Sequence, residues 1–259
     1  MFEGLFQKHN FQLFLQFLKR DLLARYKQTF VGFGWAVIQP LVMMIVFSII
    51  FGKLVKMPSD GIPYPIFSYA ALLPWTLLAS GINFGVNSLT ANASLITKVY
   101  FPREIIPIAS VTAATVDYFV ASTIFVGLMI WYKVTLSIVL LMLFPLIIIQ
   151  LLLMMAIVFV LSVWNVRYRD VRHGLSFIIQ IWMYASPVVY PISVVPEKWK
   201  FLYMLNPMVG IIDGYRTVIF KSEILDITTI MPAVVFAAIG LPIAYIYFKK
   251  AEKDFSDII

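Results

Sequence analysis

The sequence predicts an all-α integral membrane protein: six transmembrane helices, preceded by an amphipathic interfacial helix and carrying a re-entrant external segment between helices five and six. Three observations lead there. Of 259 residues, 61% are hydrophobic and 13% charged, where a water-soluble domain carries about a quarter charged. The mean hydropathy is +0.91. Finally, Asp, Glu, Lys and Arg are spaced to leave six charge-poor runs, each able to supply the roughly 20 helical residues that cross about 30 Å of hydrocarbon.

Residues 1–30 form the first unit. Phe11, Phe14, Leu15, Leu18, Leu22 and Tyr26 recur at helical spacing, and Gln12, Gln16, Lys19, Arg20 and Lys27 fall largely on the other side. This is the pattern of a helix lying in the cytoplasmic interface, its cations near anionic headgroups. Because this charged stretch precedes the first long apolar run, it does not read as a secretory signal.

Residues 31–259 form the second unit, a six-helix transmembrane domain. Its spans are expected at 31–52, within 61–97, at about 105–132, within 134–166, at 174–196 and at 227–248. Asp117 interrupts the third. A further apolar run, 201–212, has only 12 residues and contains Asn206-Pro207. That length suits a re-entrant or interfacial segment better than a span.

An even number of spans puts both ends on one side. That side holds 13 of the 20 lysines and arginines, leaving Lys53, Lys56, Lys133, Lys198, Lys200, Arg216 and Lys221 opposite. The excess marks both termini as cytoplasmic.

Several chemistries are excluded. The chain has no cysteine, so disulfides and thiol chemistry are out. His9 and His173 are far apart and lack a carboxylate cluster at ligand spacing, so no metal site is expected. The net charge of +7 resides in membrane-flanking segments and no nucleic-acid motif accompanies it. No G-x-x-x-x-G-K-[ST] loop is present, so the chain holds no nucleotide in the usual phosphate cradle.

Three stretches carry a family likeness. The first is Arg25-Tyr26-Lys27-Gln28-Thr29, continuing through Gly32-Phe33-Gly34-Trp35 to Gln39-Pro40. The second runs from Leu95 through Lys98-Val99-Tyr100-Phe101-Pro102-Arg103-Glu104 to Pro107. The third is Tyr168-Arg169-Asp170-Val171-Arg172-His173, followed by Ser186-Pro187-Val188-Val189-Tyr190-Pro191. Together they resemble the type-two ABC exporter permeases that move O-antigen, capsule or teichoic acid chains, the Wzm-like O-antigen permeases above all. The resemblance implies a homodimer of permeases in the bacterial inner membrane, each paired with a separate ABC ATPase that binds ATP and Mg. It implies export of a polysaccharide on an undecaprenyl diphosphate carrier, with no bond chemistry in this chain and no cofactor of its own.

Four sets of residues follow. Leu95, Lys98, Tyr100, Phe101, Arg103 and Glu104 sit in a short proline-bounded stretch, either a knob that docks on the ATPase or an ordinary helix-capping loop. Arg20, Arg25, Lys27, Arg167, Arg169 and Arg172 either gather the diphosphate through charge-assisted hydrogen bonds or serve as positive-inside anchors. Asp117 is costly in lipid unless paired, hydrated or protonated, so it faces a conduit or a neighbouring helix. With Tyr118, Trp182 and Tyr184 it makes up the pore-lining set, since mid-span rings with a polar handle want a partner there. Asn206, Pro207, Asp213 and Arg216 belong to the external segment, read as a periplasmic gate or a passive lid. Asp213 and Arg216 stand three residues apart, a spacing that permits pairing on one helix face.

Three rivals compete with the export reading: a membrane-embedded enzyme acting on lipids, an ABC exporter for small drugs or ions, and a proton-driven transporter. The first needs clustered acids or bases, and Asp117 alone is too little.

Overall fold

The computed structural model describes residues 8–27, 31–32, 34–168 and 170–255, and these are helical with connecting turns. In order they form α1 (Lys8–Tyr26), α2 (Gly34–Phe47, continued by a π-helical stretch Ser48–Leu54), α3 (Tyr64–Ala91), the single turn α4 (Ala93–Ile96), α5 (Ile105–Trp131) and α6 (Leu143–Arg167). After these come α7 (Val171–Tyr184), α8 (Glu197–Met204), α9 (Pro207–Arg216) and α10 (Ile227–Ala251).

Among the described residues, five segments are long and apolar enough to cross a membrane: Gly34–Leu54, Tyr64–Ala91, Ile105–Trp131, Ile138–Arg167 and Ile227–Asp254. They coincide with five of the six predicted spans. The predicted fifth span, 174–196, needs correction. Its helix, α7, has 14 residues, about 21 Å at 1.5 Å per residue. Proline explains the stop. Pro187 disfavours helical geometry at Ser186 and has no N–H to donate, and the chain turns there, with Val188 N bonded to the Ser186 carbonyl at 2.7 Å.

Local signals set the other boundaries. Pro63 precedes α3; Asn206 caps α9 by accepting from Met208 N, with Pro207 in the first turn; Asp226 caps α10 by accepting from Thr228 N. The Asn206 and Asp226 side chains satisfy amides that a helix start leaves without partners.

Helix α3 is the hub, packed against α5, α6, α2 and α9. It approaches α6 closely at Gly81, where a Cβ would lie 2.2 Å from Met154 Sδ and displace that side chain. Helix α9 is as tightly held: a Cβ on Gly210 would meet the Thr229 carbonyl oxygen of α10 at 2.2 Å. Small residues let helix backbones approach this closely.

Both ends of the described chain lie at one end of the bundle, here the terminal end. There Phe17 of α1 packs on Phe101 (ring centroids 5.7 Å apart), and Phe248 of α10 packs on Phe159 (5.0 Å) and Phe255 (5.6 Å). At the far end the turns after α2, α7 and α9 gather, with Tyr64 donating to the Val189 carbonyl at 2.6 Å and Ser193 to Asp60 at 2.9 Å.

The side of α1 turned to the bundle carries Phe17, which is outside the predicted apolar stripe. Phe17 is its most buried apolar residue, while Phe11 and Leu15 are exposed. Hydrophobicity alone cannot tell a residue packed on protein from one presented to lipid.

Candidate functional site

At the terminal end α1 lies along α5. Arg25 donates to Asp117 at 2.5 Å and to the Ser110 carbonyl at 3.2 Å, and its guanidinium lies 3.7 Å from the centre of the Phe84 ring. Tyr26 donates to the other Asp117 oxygen at 2.5 Å. One turn back on α1, Asp21 accepts from Ser110 at 2.6 Å, and Arg20 donates to Asn92 at 2.5 Å and to Asp21 at 2.9 Å. A carboxylate that would be expensive in a lone span is thereby held by a cation and a hydroxyl. Burial, and next the hydrogen bond to Asp117, push the Tyr26 hydroxyl above its usual range, so it remains a donor. Beside this pair a cavity of about 580 Å³ opens between α1, α2, α3 and α5.

The remaining residues of the pore-lining set scatter. Tyr118 is buried and shares a hydrogen bond of 3.0 Å with Tyr215 of α9. Trp182 donates to Asn206 at 2.9 Å and stands edge-on to Trp75 at 6.0 Å. Tyr184 is exposed, and its carbonyl accepts from Tyr190 at 2.9 Å. Only Asp117 and Tyr118 border the large cavity.

The segment between α3 and α5 divides in two. Lys98 and Tyr100 face solvent, Tyr100 with 95% of its surface exposed. Leu95 is half-buried, and Phe101, Arg103 and Glu104 turn inward. Arg103, 8% exposed, donates to the Glu252 carbonyl. Glu104, 5% exposed, pairs with Lys249 at 3.1 Å and accepts from Tyr245 at 3.4 Å. Glu104 is therefore tied to α10, and Arg103 to the turn that follows it. Burial of both was invisible in a mixed-charge stretch.

The external segment is not a loosely pinned flap. In α8, Trp199, Phe201 and Leu202 are exposed, whereas α9 buries Met208 through Ile212 and Gly214 through Arg216. The expected Asp213–Arg216 pair is absent from the ion pairs among the described residues. Arg216, 5% exposed, instead donates to the backbone carbonyls of Val188 at 3.0 Å, Tyr190 at 3.3 Å and Phe67 at 3.5 Å, and lies 3.5 Å over the Phe67 ring. Asn206 adds bonds of 2.9 Å to the Ala185 carbonyl and to Ser186. The helix-spacing rule for ion pairs assumes a solvent-exposed face, and this one is interior.

Residues 12–220 match the profile of the ABC-2 type transporter family. The chain belongs to that family. Relatives spread over nearly its whole length. It is 28% identical over 254 residues to the O-antigen export system permease protein RfbA of Myxococcus xanthus, covering 95% of each chain. It is 27% identical to an RfbA of Klebsiella pneumoniae, covering 96% of this chain and 95% of the relative. It is 21% identical to the polysialic acid transport protein KpsM of Escherichia coli, covering 90% and 91%.

In this ABC-2 transporter chain the described members of the proposed headgroup set have different surroundings. Arg25 is consumed by Asp117 and Arg20 leans on Asn92, while Lys27 is exposed at the end of α1. Arg167 pairs with Asp254 at 3.6 Å, and Arg172 is exposed beside His173 at 3.3 Å. Arg169 lies outside the described residues. Sequence reasoning missed Tyr26 as the second ligand of Asp117, although it adjoins Arg25 in the first motif. It also missed Gln39, an amide inside an apolar span, which composition alone singles out.

Proposed function

We propose that this chain is the membrane subunit of an ABC exporter that carries a lipid-linked polysaccharide of the O-antigen kind, on undecaprenyl diphosphate, across the bacterial inner membrane. Two copies assemble with two separate ATPase subunits, which bind ATP and Mg. The observation that carries this reading is the full-length similarity to O-antigen export permeases of two organisms. A capsule-type glycan is the second reading, favoured by the weaker similarity to a polysialic acid transport protein.

The geometry supports the details. The Arg167–Asp254 contact joins the last turn of α6 to the turn just after α10, so the chain between them has to reach the far end before α10 returns. Helix α7 and the turns after it make that sixth crossing, which puts both termini on one side. The excess of lysine and arginine there makes that side cytoplasmic. Helices α8 and α9 re-enter from outside and form the gate. The exposed tip at Lys98 and Tyr100 docks on the ATPase, and its buried base passes the motion to α1 through Phe101 and to α10 through Arg103 and Glu104.

Complementation in cells lacking the permease tests this. The wild-type chain with its ATPase is expected to restore surface glycan. Tyr100→Ala is expected to change thermal stability by less than about 0.5 kcal/mol, as exposed substitutions do, yet to reduce ATPase co-purification and export. Undiminished export and co-purification with Tyr100→Ala would remove the tip from the mechanism, and wild-type membranes that export no glycan would remove the reading itself.

A further inference from the structure

Thr76, Ser80, Asn83, Asn87 and Thr90 recur every four and three residues, so they form one polar line down α3. Each donates to its own helix: to the carbonyls of Leu73 at 3.0 Å, Leu77 at 3.4 Å, Ala79 at 2.9 Å, Asn83 at 2.7 Å and Asn87 at 3.0 Å. Their side-chain oxygens keep acceptor capacity. Toward the terminal end these acceptors are used, since Asn165 of α6 donates to Asn87 at 3.4 Å and to Thr90 at 3.3 Å. Toward the middle of the helix they are not: Thr76, Ser80 and Asn83 border the 580 Å³ cavity, together with Gln39 of α2. Gln39 has no hydrogen-bond partner among the described residues. An amide and three acceptors facing hydrocarbon would be heavily penalised, so this cavity is built for a polar occupant.

Charge selects the kind. Among the described residues the cavity is bordered by one cation, Arg25, and one anion, Asp117, and these are paired at 2.5 Å. Arg25 is further occupied by the Ser110 carbonyl and the Phe84 ring. A diphosphate needs uncompensated cations, and this wall offers none. A neutral ligand rich in hydroxyls fits: it donates to the three acceptors, exchanges hydrogen bonds with the Gln39 amide, and lays its C–H groups on the exposed Trp35 ring, which also borders the space. The volume lies within the range of ordinary small-ligand sites, about 300 to 1,000 Å³.

We propose that this cavity is a saccharide subsite, holding neutral sugar units of the exported chain and excluding its diphosphate, an inference that rests on the export reading above. The test uses the assembled transporter in cells that make their own glycan. A photoreactive benzoylphenylalanine replaces Trp35, and, as the control, Phe119, which is exposed on α5 and does not border the cavity. Irradiation is expected to attach periodate-sensitive glycan at position 35 and not at 119. Adding Gln39→Leu, which breaks no internal hydrogen bond, is expected to lower the adduct about fivefold at unchanged protein level, the effect of losing one neutral hydrogen bond. Ser80→Ala is expected to act in the same direction. Export with only phospholipid adducts at position 35, or glycan adducts indifferent to both substitutions, overturns the subsite and leaves the export reading standing. Wild-type cells that export no glycan overturn both.

Discussion

The two ends of the bundle are held by different chemistry. At the terminal end, side-chain charges of both signs meet: Arg25 with Asp117, Lys249 with Glu104 and Glu252, Arg167 with Asp254. At the far end a single buried guanidinium, Arg216, is held by backbone carbonyls of three segments. A charge pair can trade one partner for another or for water, because each member is a side chain that swings on rotatable bonds. Carbonyls cannot leave without moving the chain. The terminal end is thus the end that can be rewired locally, and the far end is the one that moves as a block.

The largest effect should come from breaking the block. Arg216→Met removes donors to three carbonyls at once and is expected to lower stability by about 3 kcal/mol, read as thermal unfolding of the purified protein. Arg216→Lys should rescue little, since an ammonium lacks the planar fork that reaches three oxygens. A wild-type melting temperature in either variant would mean that apolar packing of α9 suffices without its arginine.

A smaller effect is expected from Arg25→Gln and Asp117→Asn. Both side chains are mostly shielded, 10% and 16% exposed, so a double-mutant cycle should return a coupling of about 1 to 3 kcal/mol. Additive losses would show that α1 is held by Phe17 and its neighbours alone, and that the contrast between the ends is only geometric.

The smallest effect concerns Asp226, at the start of α10. Its carboxyl is held below the usual range, first by the hydrogen bond from the Thr228 hydroxyl, then by the Thr228 amide and Thr229. A depressed carboxyl contributes fully above its unfolded pKa, about 3.9, and its contribution vanishes as pH falls through the folded value. Asp226→Asn should therefore narrow the stability difference between pH 6 and pH 3 slightly. An unchanged pH profile would show that the Asp226 cap contributes no pH-dependent stability.

The elements that could be read from sequence are those whose cause is local. Charge-free length located five spans, and Asn206-Pro207 and Asp226 mark helix starts through caps within two residues. Asp117 announced its need for a partner, but Arg25 and Tyr26 stand 92 and 91 residues away, and no spacing rule covers that distance. The helix in the fifth predicted span is shorter than its charge-free run because counting charges ignores what Pro187 does to Ser186. In the sequence Arg103, Glu104 and Arg216 are indistinguishable from surface groups, because burial of a charge leaves no trace in the residues beside it. Arg216 in particular binds through its terminal nitrogens to atoms that every residue possesses, so no side-chain pattern pointed to it.

That last property has a consequence for how the far end tolerates change. The oxygens that receive Arg216 belong to the main chain at 67, 188 and 190, and any amino acid placed there brings one, proline included. The receiving side of the anchor therefore admits wide drift in residue type, limited by packing and, at 67, by the ring beneath the guanidinium. The giving side admits almost none. A library randomised at 188 and 190 should recover many working variants, and one randomised at 216 should return arginine.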